Sequence, residues 1–185
     1  ANEFVASQLA GDSPTPGQFL VGPQDDPEWV REQVKRLGMR GLKPFSFYAE
    51  VGNIWEAELP DYLPEGIMRV ADEEGWTITV HLMRARGVAD TSNQYWVRRY
   101  CETYPDCRII LDHCARGFNP FHVIEGLPAL AGLGNLWIDT SAVCNATAVL
   151  AALDVVGAKR MLYGSDFYVS HMRATNFPLG DTFLW

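Results

Sequence analysis

Short apolar segments alternate with amphipathic helical segments along the whole chain, and this alternation limits the possible folds most strongly. Each short segment is apolar at both alternating positions, which is typical of strands covered on both faces of a parallel sheet. The pattern therefore predicts an α/β protein made of consecutive βα units in one domain. The predicted strands are Phe19–Val21, Gly41–Phe45, Thr77–His81, Arg108–Asp112, Leu136–Asp139 and Arg160–Tyr163.

The helices between these strands have recognisable ends. Asp26 and Asn119 are predicted N-caps, each followed by a proline that suits the first helical position, and Gly38 supplies a left-handed stop. The stretch 48–62 lacks a clear period, so we expect a long loop there, a kind of segment that often carries function in βα proteins. Helices are predicted near residues 4–9, 27–37, 64–75, 90–104, 120–131 and 146–156.

Composition excludes several classes of protein. An apolar content of 48% in 185 residues is enough for a sizeable core, which excludes a disordered chain. The formal net charge of -8 argues against nucleic-acid binding. No apolar run approaches the roughly 18 residues of a membrane helix, and Ala1–Gly11 lacks the pattern of a secretory signal. The four cysteines contain no CxxC pair, as expected in a reducing compartment. We therefore expect a cytoplasmic protein without nucleic-acid or membrane partners.

Polar side chains follow the carboxyl ends of the predicted strands. His81 ends the TITVH segment, His113 follows RIILD, and Asp166 follows RMLYGS. These strand ends share one edge of a parallel sheet, where active sites lie. Taken singly, a histidine at a strand end is more often a hydrogen-bonded structural residue than a ligand, and an aspartate in a GSD segment is often a helix cap or turn former. Two imidazoles and a carboxylate together suit zinc, iron or manganese, so the sequence predicts a metal site where the three residues meet.

The motifs around these residues resemble those of the amidohydrolase superfamily, in particular the amidohydrolase-related group with decarboxylase-like members. The similar segments follow the order of strands four to eight of that family's (β/α)8 barrel. A barrel of this type takes about 250 residues, and the His-x-His pair of its first strand has no counterpart here. The resemblance implies a partial TIM-barrel domain over residues 1–185, a fragment without the first two βα units. The segments are Gly38–Phe45, Thr77–Arg84, Ile110–Pro120, Leu136–Val143 and Arg160–Ser170.

The resemblance also implies roles for individual residues. His81 would be a metal ligand, and His113 a ligand or the group that polarises the substrate. Asp166 would bind the metal and act as the catalytic base that takes a proton from the attacking water. Zinc is the favoured ion. Cationic and polar residues near the expected cavity are candidates for binding a carboxylate-bearing substrate. These substrate-binding candidates are Lys43, Arg84, Arg116 and His171.

The activity implied by the resemblance is that of a metal-dependent hydrolase. Activated water would attack a carbonyl or ring carbon of a small, carboxylate-bearing substrate. A non-oxidative decarboxylase and a metal-free lactonase of the same group stay open, the latter because the first-strand histidine pair is absent. A non-enzymatic alternative is an inactive half-barrel that self-associates through its open sheet edges, which makes a second copy a candidate partner.

Overall fold

The computed structural model describes residues 1–9, 17–169 and 174–184. In these ranges six parallel strands form one sheet in the sequential order β1-β2-β3-β4-β5-β6, which confirms the predicted α/β architecture. A two-stranded antiparallel hairpin, β7–β8, follows the sheet. The strands are β1 (Gln18–Val21), β2 (Gly41–Pro44), β3 (Thr77–Val80), β4 (Arg108–Leu111), β5 (Leu136–Asp139), β6 (Met161–Leu162), β7 (Phe177–Leu179) and β8 (Thr182–Leu184).

Helices connect successive strands of the sheet, and several begin at the predicted caps. The Asp26 carboxylate accepts a hydrogen bond from the Trp29 amide at 2.9 Å, and the Asn119 side chain accepts one from the Phe121 amide at 3.1 Å. No helix in the described ranges is long and apolar enough to cross a membrane. The helices are α1 (Asn2–Leu9), α2 (Pro27–Arg36), α3 (Leu59–Tyr62), α4 (Glu65–Glu73), α5 (Thr91–Thr103), α6 (Pro120–Gly126) and α7 (Ala146–Val156).

The prediction of a long loop over residues 48–62 was wrong in part. A 3-10 turn forms at Ile54–Glu56, and α3 follows it. The Glu58 amide donates to Asp61 Oδ2 at 2.8 Å, which caps α3. The buried Tyr62 anchors the helix, since its hydroxyl donates to the His81 carbonyl at 3.1 Å. A helix of one turn is too short to produce a visible apolar period, so only its cap could have indicated it.

One hydrophobic core lies between the sheet and the helices. Leu42, Ile78 and Ile109 are fully buried strand residues, and Val34 of α2 and Ile67 of α4 belong to the same cluster. Burial of an aliphatic side chain of this size contributes about 1.5–3 kcal/mol. This packing fixes the strands, and therefore the positions of the polar residues at their carboxyl ends.

A left-handed turn, Asp112–Arg116, follows β4 directly. The φ angles of His113, Cys114, Ala115 and Arg116 are 58°, 49°, 59° and 63°. Left-handed backbone costs a non-glycine residue roughly 1–2 kcal/mol, so the surrounding structure must hold this turn in place. Cys114 and Ala115 are fully buried, and their burial offsets part of that cost. The strained turn lies at the same sheet edge as the polar side chains.

Candidate active site

A cavity of about 430 Å³ opens at the carboxyl ends of β2 to β6. The residues predicted to meet, His81, His113 and Asp166, all line this cavity. Further polar lining comes from neighbouring strand ends, namely Lys43, Asp112, Asp139 and Ser141. The remaining wall is mainly apolar and includes Phe45, Phe47, Trp55 and Met83.

Within the cavity, His81, Asp112 and His113 form a compact group. One potential ligand atom from each residue lies within 4.8 Å of the others. The two imidazole rings have their centroids 5.0 Å apart. Asp166 lines the same cavity but is not a member of this group. Asp112 was predicted only as the last residue of a strand and not as part of the site. Its position directly before His113 was the available signal.

His113 is held by residues at the end of β5. Its backbone amide donates to Asp139 Oδ1 at 2.8 Å, and its Nδ1 lies 2.9 Å from both the carbonyl oxygen and Oγ of Ser141. A proton on Nδ1 can be donated to the Ser141 carbonyl, which leaves the Nε2 lone pair for a metal or a substrate. On another side, His113 stacks on Phe118 with ring centroids 5.3 Å apart. The sequence places Ser141 among the polar residues at the strand ends, but neither Ser141 nor Asp139 was predicted to support a histidine.

His81 is kept neutral by its surroundings. The pKa of His81 is lowered to about 3, mainly by burial and to a smaller extent by the nearby charges of His113, Arg116 and Lys43. Arg116 Nη1 donates to His81 Nε2 at 3.1 Å and to the Leu82 carbonyl at 3.3 Å. Because a neutral imidazole is the form that binds metals, the environment of His81 favours ligand chemistry over proton transfer near neutral pH.

The buried Asp112 carboxylate is paired with Lys43. The Lys43 ammonium donates to Asp112 Oδ2, and Asp112 is 5% exposed. Burial raises the pKa of Asp112, while the charge and hydrogen bond of Lys43 act in the opposite direction. Lys43 itself is partly exposed and lines the cavity. It therefore places a positive charge where an anionic substrate group would enter.

The other predicted substrate-binding residues occupy different positions. Arg84 does not line the cavity, and it pairs with Asp90 at 2.9 Å. Arg116 lies behind His81 and Trp55, with its guanidinium carbon 5.5 Å from the Trp55 ring centroid. His171 falls outside the described residues.

The donor set fits a divalent ion. Two imidazoles and a carboxylate are ligands that zinc, manganese and iron accept. His81 is neutral, and the hydrogen bonds of His113 run through Nδ1 and leave Nε2 for coordination. The residues that could hold an ion are therefore His81, Asp112 and His113, with Asp166 on the same cavity.

Solved structures share this fold. A 2,6-dihydroxybenzoate decarboxylase from Rhizobium aligns with a TM-score of 0.65 at 18% identity, covering 92% of this chain and 67% of that chain. A 5-carboxyvanillate decarboxylase from Novosphingobium aromaticivorans, complexed with manganese, aligns with a TM-score of 0.64 at 16% identity, covering 92% and 60%. An amidohydrolase from Burkholderia multivorans with bound zinc aligns with a TM-score of 0.62 at 17% identity, covering 94% and 66%.

The chain thus spans 60–67% of the length of these three structures, and its six-stranded sheet is an incomplete TIM barrel. A search of curated proteins finds no match to the sequence. The amidohydrolase family model matches residues 1–183, nearly the whole chain. This match confirms the resemblance seen in the strand-end motifs, and the chain belongs to the amidohydrolase family.

Proposed function

We propose that this chain carries the catalytic centre of a metal-dependent hydrolase that acts on a small, carboxylate-bearing substrate. The main support is the group of His81, Asp112 and His113, whose ligand atoms lie within 4.8 Å of one another on a cavity shared with Asp166. The zinc and manganese in two of the similar structures agree with a divalent ion, and we favour zinc here. Such an ion, when bound, lowers the pKa of a coordinated water toward about 7 and polarises a substrate oxygen.

The remaining polar residues have distinct roles in this proposal. Asp166 is the general base that takes a proton from the attacking water, and it is a candidate for a further ligand. His113, held through Nδ1 by Ser141, presents Nε2 to the metal or to the substrate oxygen. Lys43 binds the substrate carboxylate through its ammonium group, which lines the cavity.

The apolar wall indicates the shape of the substrate. The rings of Phe45 and Phe47 lie 5.1 Å apart, and Trp55 lines the same cavity. A volume of about 430 Å³ lies within the range of pockets that enclose a small organic molecule. We therefore propose a single-ring or similarly planar acid, with its carboxylate toward Lys43 and its ring against the aromatic side chains.

Non-oxidative decarboxylation is the second candidate, favoured by the aromatic wall and by the decarboxylases among the similar structures. In this reaction the bond between the ring carbon and the carboxylate breaks, carbon dioxide leaves, and a proton is added to the ring carbon. Lys43 and the ligand group would then orient the carboxylate that is lost. The two reactions differ in their products, so one assay separates them.

The test is turnover of aromatic acids and their esters, amides and lactones by protein loaded with zinc or manganese. In labelled water, hydrolysis places the label in the product, whereas decarboxylation releases carbon dioxide. We expect Asp166→Asn to reduce turnover at least about 100-fold, since general-base catalysis contributes 10²–10⁴-fold. Asp154→Asn, at an exposed position on α7, is the matched control and is expected to keep wild-type turnover.

Three results would count against parts of this proposal. Wild-type turnover by Asp166→Asn would remove its role as the base. Release of carbon dioxide without hydrolysis would select the second candidate. Full activity in chelator, with less than about a tenth of an equivalent of metal bound, would indicate a metal-free lactonase.

A further inference from the structure

Two cationic side chains contact atoms that a metal ion would use. We infer that Lys43 and Arg116 compete with the ion for Asp112 and His81, so that these two residues set the metal affinity of the centre. The inference rests on the proposed metal centre and adds that two neighbouring cations control how tightly this centre binds its ion. It is carried by the two hydrogen bonds that join these cations to members of the ligand group.

Lys43 is the first competitor. Its ammonium donates to Asp112 Oδ2, and the carboxylate it contacts is buried. Two cations held on one buried carboxylate repel each other strongly, because the low local dielectric screens their charges poorly. An ion bound by Asp112 therefore weakens the contact with Lys43, and Lys43 weakens the binding of the ion.

Arg116 is the second competitor, and it competes through a hydrogen bond to the lone pair of His81 Nε2. A guanidinium has only donors, so His81 Nε2 must act as the acceptor in the 3.1 Å contact. The neutral ring then carries its proton on Nδ1 and has no second lone pair to offer. An ion can bind His81 only if Arg116 leaves Nε2 or if the Nδ1 proton is lost.

Both cations are available for such an exchange. Lys43 is 31% exposed and lines the cavity, so its ammonium can turn toward a substrate anion. Within the described part of the chain, Arg116 forms no ion pair, and its Nε has no hydrogen-bond partner. Its guanidinium is thus a half-buried cation whose hydrogen bonds go to an imidazole and a carbonyl. Among the described residues, Lys43 pairs with no anion other than Asp112, and Arg116 pairs with none.

The test is calorimetric titration of zinc and of manganese into the full chain at pH 8. We expect Lys43→Met and Arg116→Met each to lower the metal dissociation constant about tenfold or more, since each removes a positive charge next to a ligand. The double variant is expected to bind more tightly than either single variant. Lys43→Arg retains the charge and is expected to stay within about threefold of wild type.

A charge-matched control separates direct competition from a general change in net charge. Arg86→Met removes the same charge from a residue that pairs with Glu125 and Asp181 and contacts none of the ligand group. We expect its dissociation constant to stay within about twofold of wild type. Thermal unfolding with and without metal provides a second measurement. The upward shift of the melting temperature by metal is expected to be larger in Lys43→Met and Arg116→Met than in wild type.

The outcomes distinguish this inference from the proposed function. Tighter metal binding by Lys43→Met and Arg116→Met than by wild type supports the competition. Metal binding that is detectable in these variants but not in wild type supports it as well. If wild type binds metal and the two variants bind it with the same or a weaker affinity, the competition is overturned and the metal centre stays in place. No metal binding by wild type or by any folded variant overturns both. A variant that does not fold without metal is refolded with metal present. Recovery of structure then supports the inference, and no recovery counts against it.

Discussion

Asp139 Oδ1 accepts three hydrogen bonds, from the His113 amide at 2.8 Å, the Ser141 amide at 3.0 Å and Ser141 Oγ at 2.7 Å. These bonds join the end of β5 to the left-handed turn Asp112–Arg116. A carboxylate suits this position because it accepts several donors at once, and bonds to a charged acceptor are among the stronger ones in proteins. At the scale of single residues, Asp139 therefore holds His113 in place without belonging to the ligand group.

We expect Asp139→Ala to lower the free energy of unfolding by about 2–4 kcal/mol, because it leaves buried donors unpaired beside a strained turn. Asp139→Asn retains an oxygen acceptor and is expected to cost less, about 1–2 kcal/mol. Urea unfolding followed by circular dichroism measures both changes. Asp106→Ala, at an exposed position, is the control and is expected to change stability by less than about 0.5 kcal/mol. Equal stabilities of Asp139→Ala and this control would contradict the role of Asp139.

The sequence could indicate some residues of the site and not others. His81, His113 and Asp166 follow predicted strands, so the common edge of a parallel sheet was enough to bring them to one cavity. The neighbouring Asp112 depended on where β4 stops and on the left-handed turn after it. Non-glycine residues disfavour left-handed backbone, so the segment 113–116 gave no local signal for this turn.

At the scale of elements, ion pairs connect α2 to the end of α4. Arg31 pairs with Glu73 and with Glu74, the latter at 2.8 Å, and Lys35 pairs with Glu74 at 2.7 Å. The hydrogen bond from Lys35 is the main cause that lowers the pKa of Glu74 below its ordinary value of 4.5, with Arg31 adding to it. The folded state therefore favours the ionised form of Glu74, and its contribution to stability depends on pH.

We expect Glu74→Gln to lower stability by about 0.5–1 kcal/mol at pH 7, a small value because solvent and salt screen these pairs. Since the folded-state pKa is the lower one, the stabilisation is present above about pH 4.5 and is lost as pH falls through the folded-state pKa. Denaturant unfolding of wild type and Glu74→Gln between pH 3 and pH 7 should therefore give converging stabilities at the acidic end. Glu32→Gln, at an exposed position on α2, is the control. A constant difference across the range would contradict this assignment.

The hairpin β7–β8 shows what the sequence did not reveal about elements. Asn119 Nδ2 donates to the carbonyls of Gly180 and Thr182 at 3.0 and 3.1 Å, and Phe118 stacks between His113 and Phe183. The hairpin therefore packs behind the site. Each of its strands has three residues, too few for an alternating pattern, whereas the helices α2 and α6 were predicted from their N-caps, first-turn prolines and apolar stripes.

At the scale of the whole molecule, β1 and β6 are the edges of the described sheet. A closed barrel has no edge strands, whereas the described sheet has two, and aromatic side chains that follow β6 face solvent. Tyr163, directly after β6, is 89% exposed, and Phe167 and Tyr168 are also exposed. The alternation of strands and helices predicted the order of this sheet, because each βα unit is a local pattern. Closure depends on pairing between distant strands and has no such local pattern.

We expect the 185-residue chain to self-associate through the β6 edge. Size-exclusion chromatography with light scattering should give a mass that rises with concentration above the 20.7 kDa of one chain. Tyr163→Lys places a charge at this edge and is expected to weaken association at least about tenfold. Tyr95→Lys, at an exposed position on α5, is the control and is expected to associate like wild type. A monomeric wild type at every concentration would contradict this prediction.

The two sides of the cavity come from separate parts of the chain. The group of His81, Asp112 and His113 lies at the ends of β3 and β4, whereas Phe45, Phe47 and Trp55 belong to the connection between β2 and α3. Insertions and exchanges are tolerated better in such a connection than in buried strands. Selectivity is consequently separable from the ligand group: grafting another connection of similar length would redesign which molecules enter, while His81, Asp112 and His113 would keep their places at the strand ends.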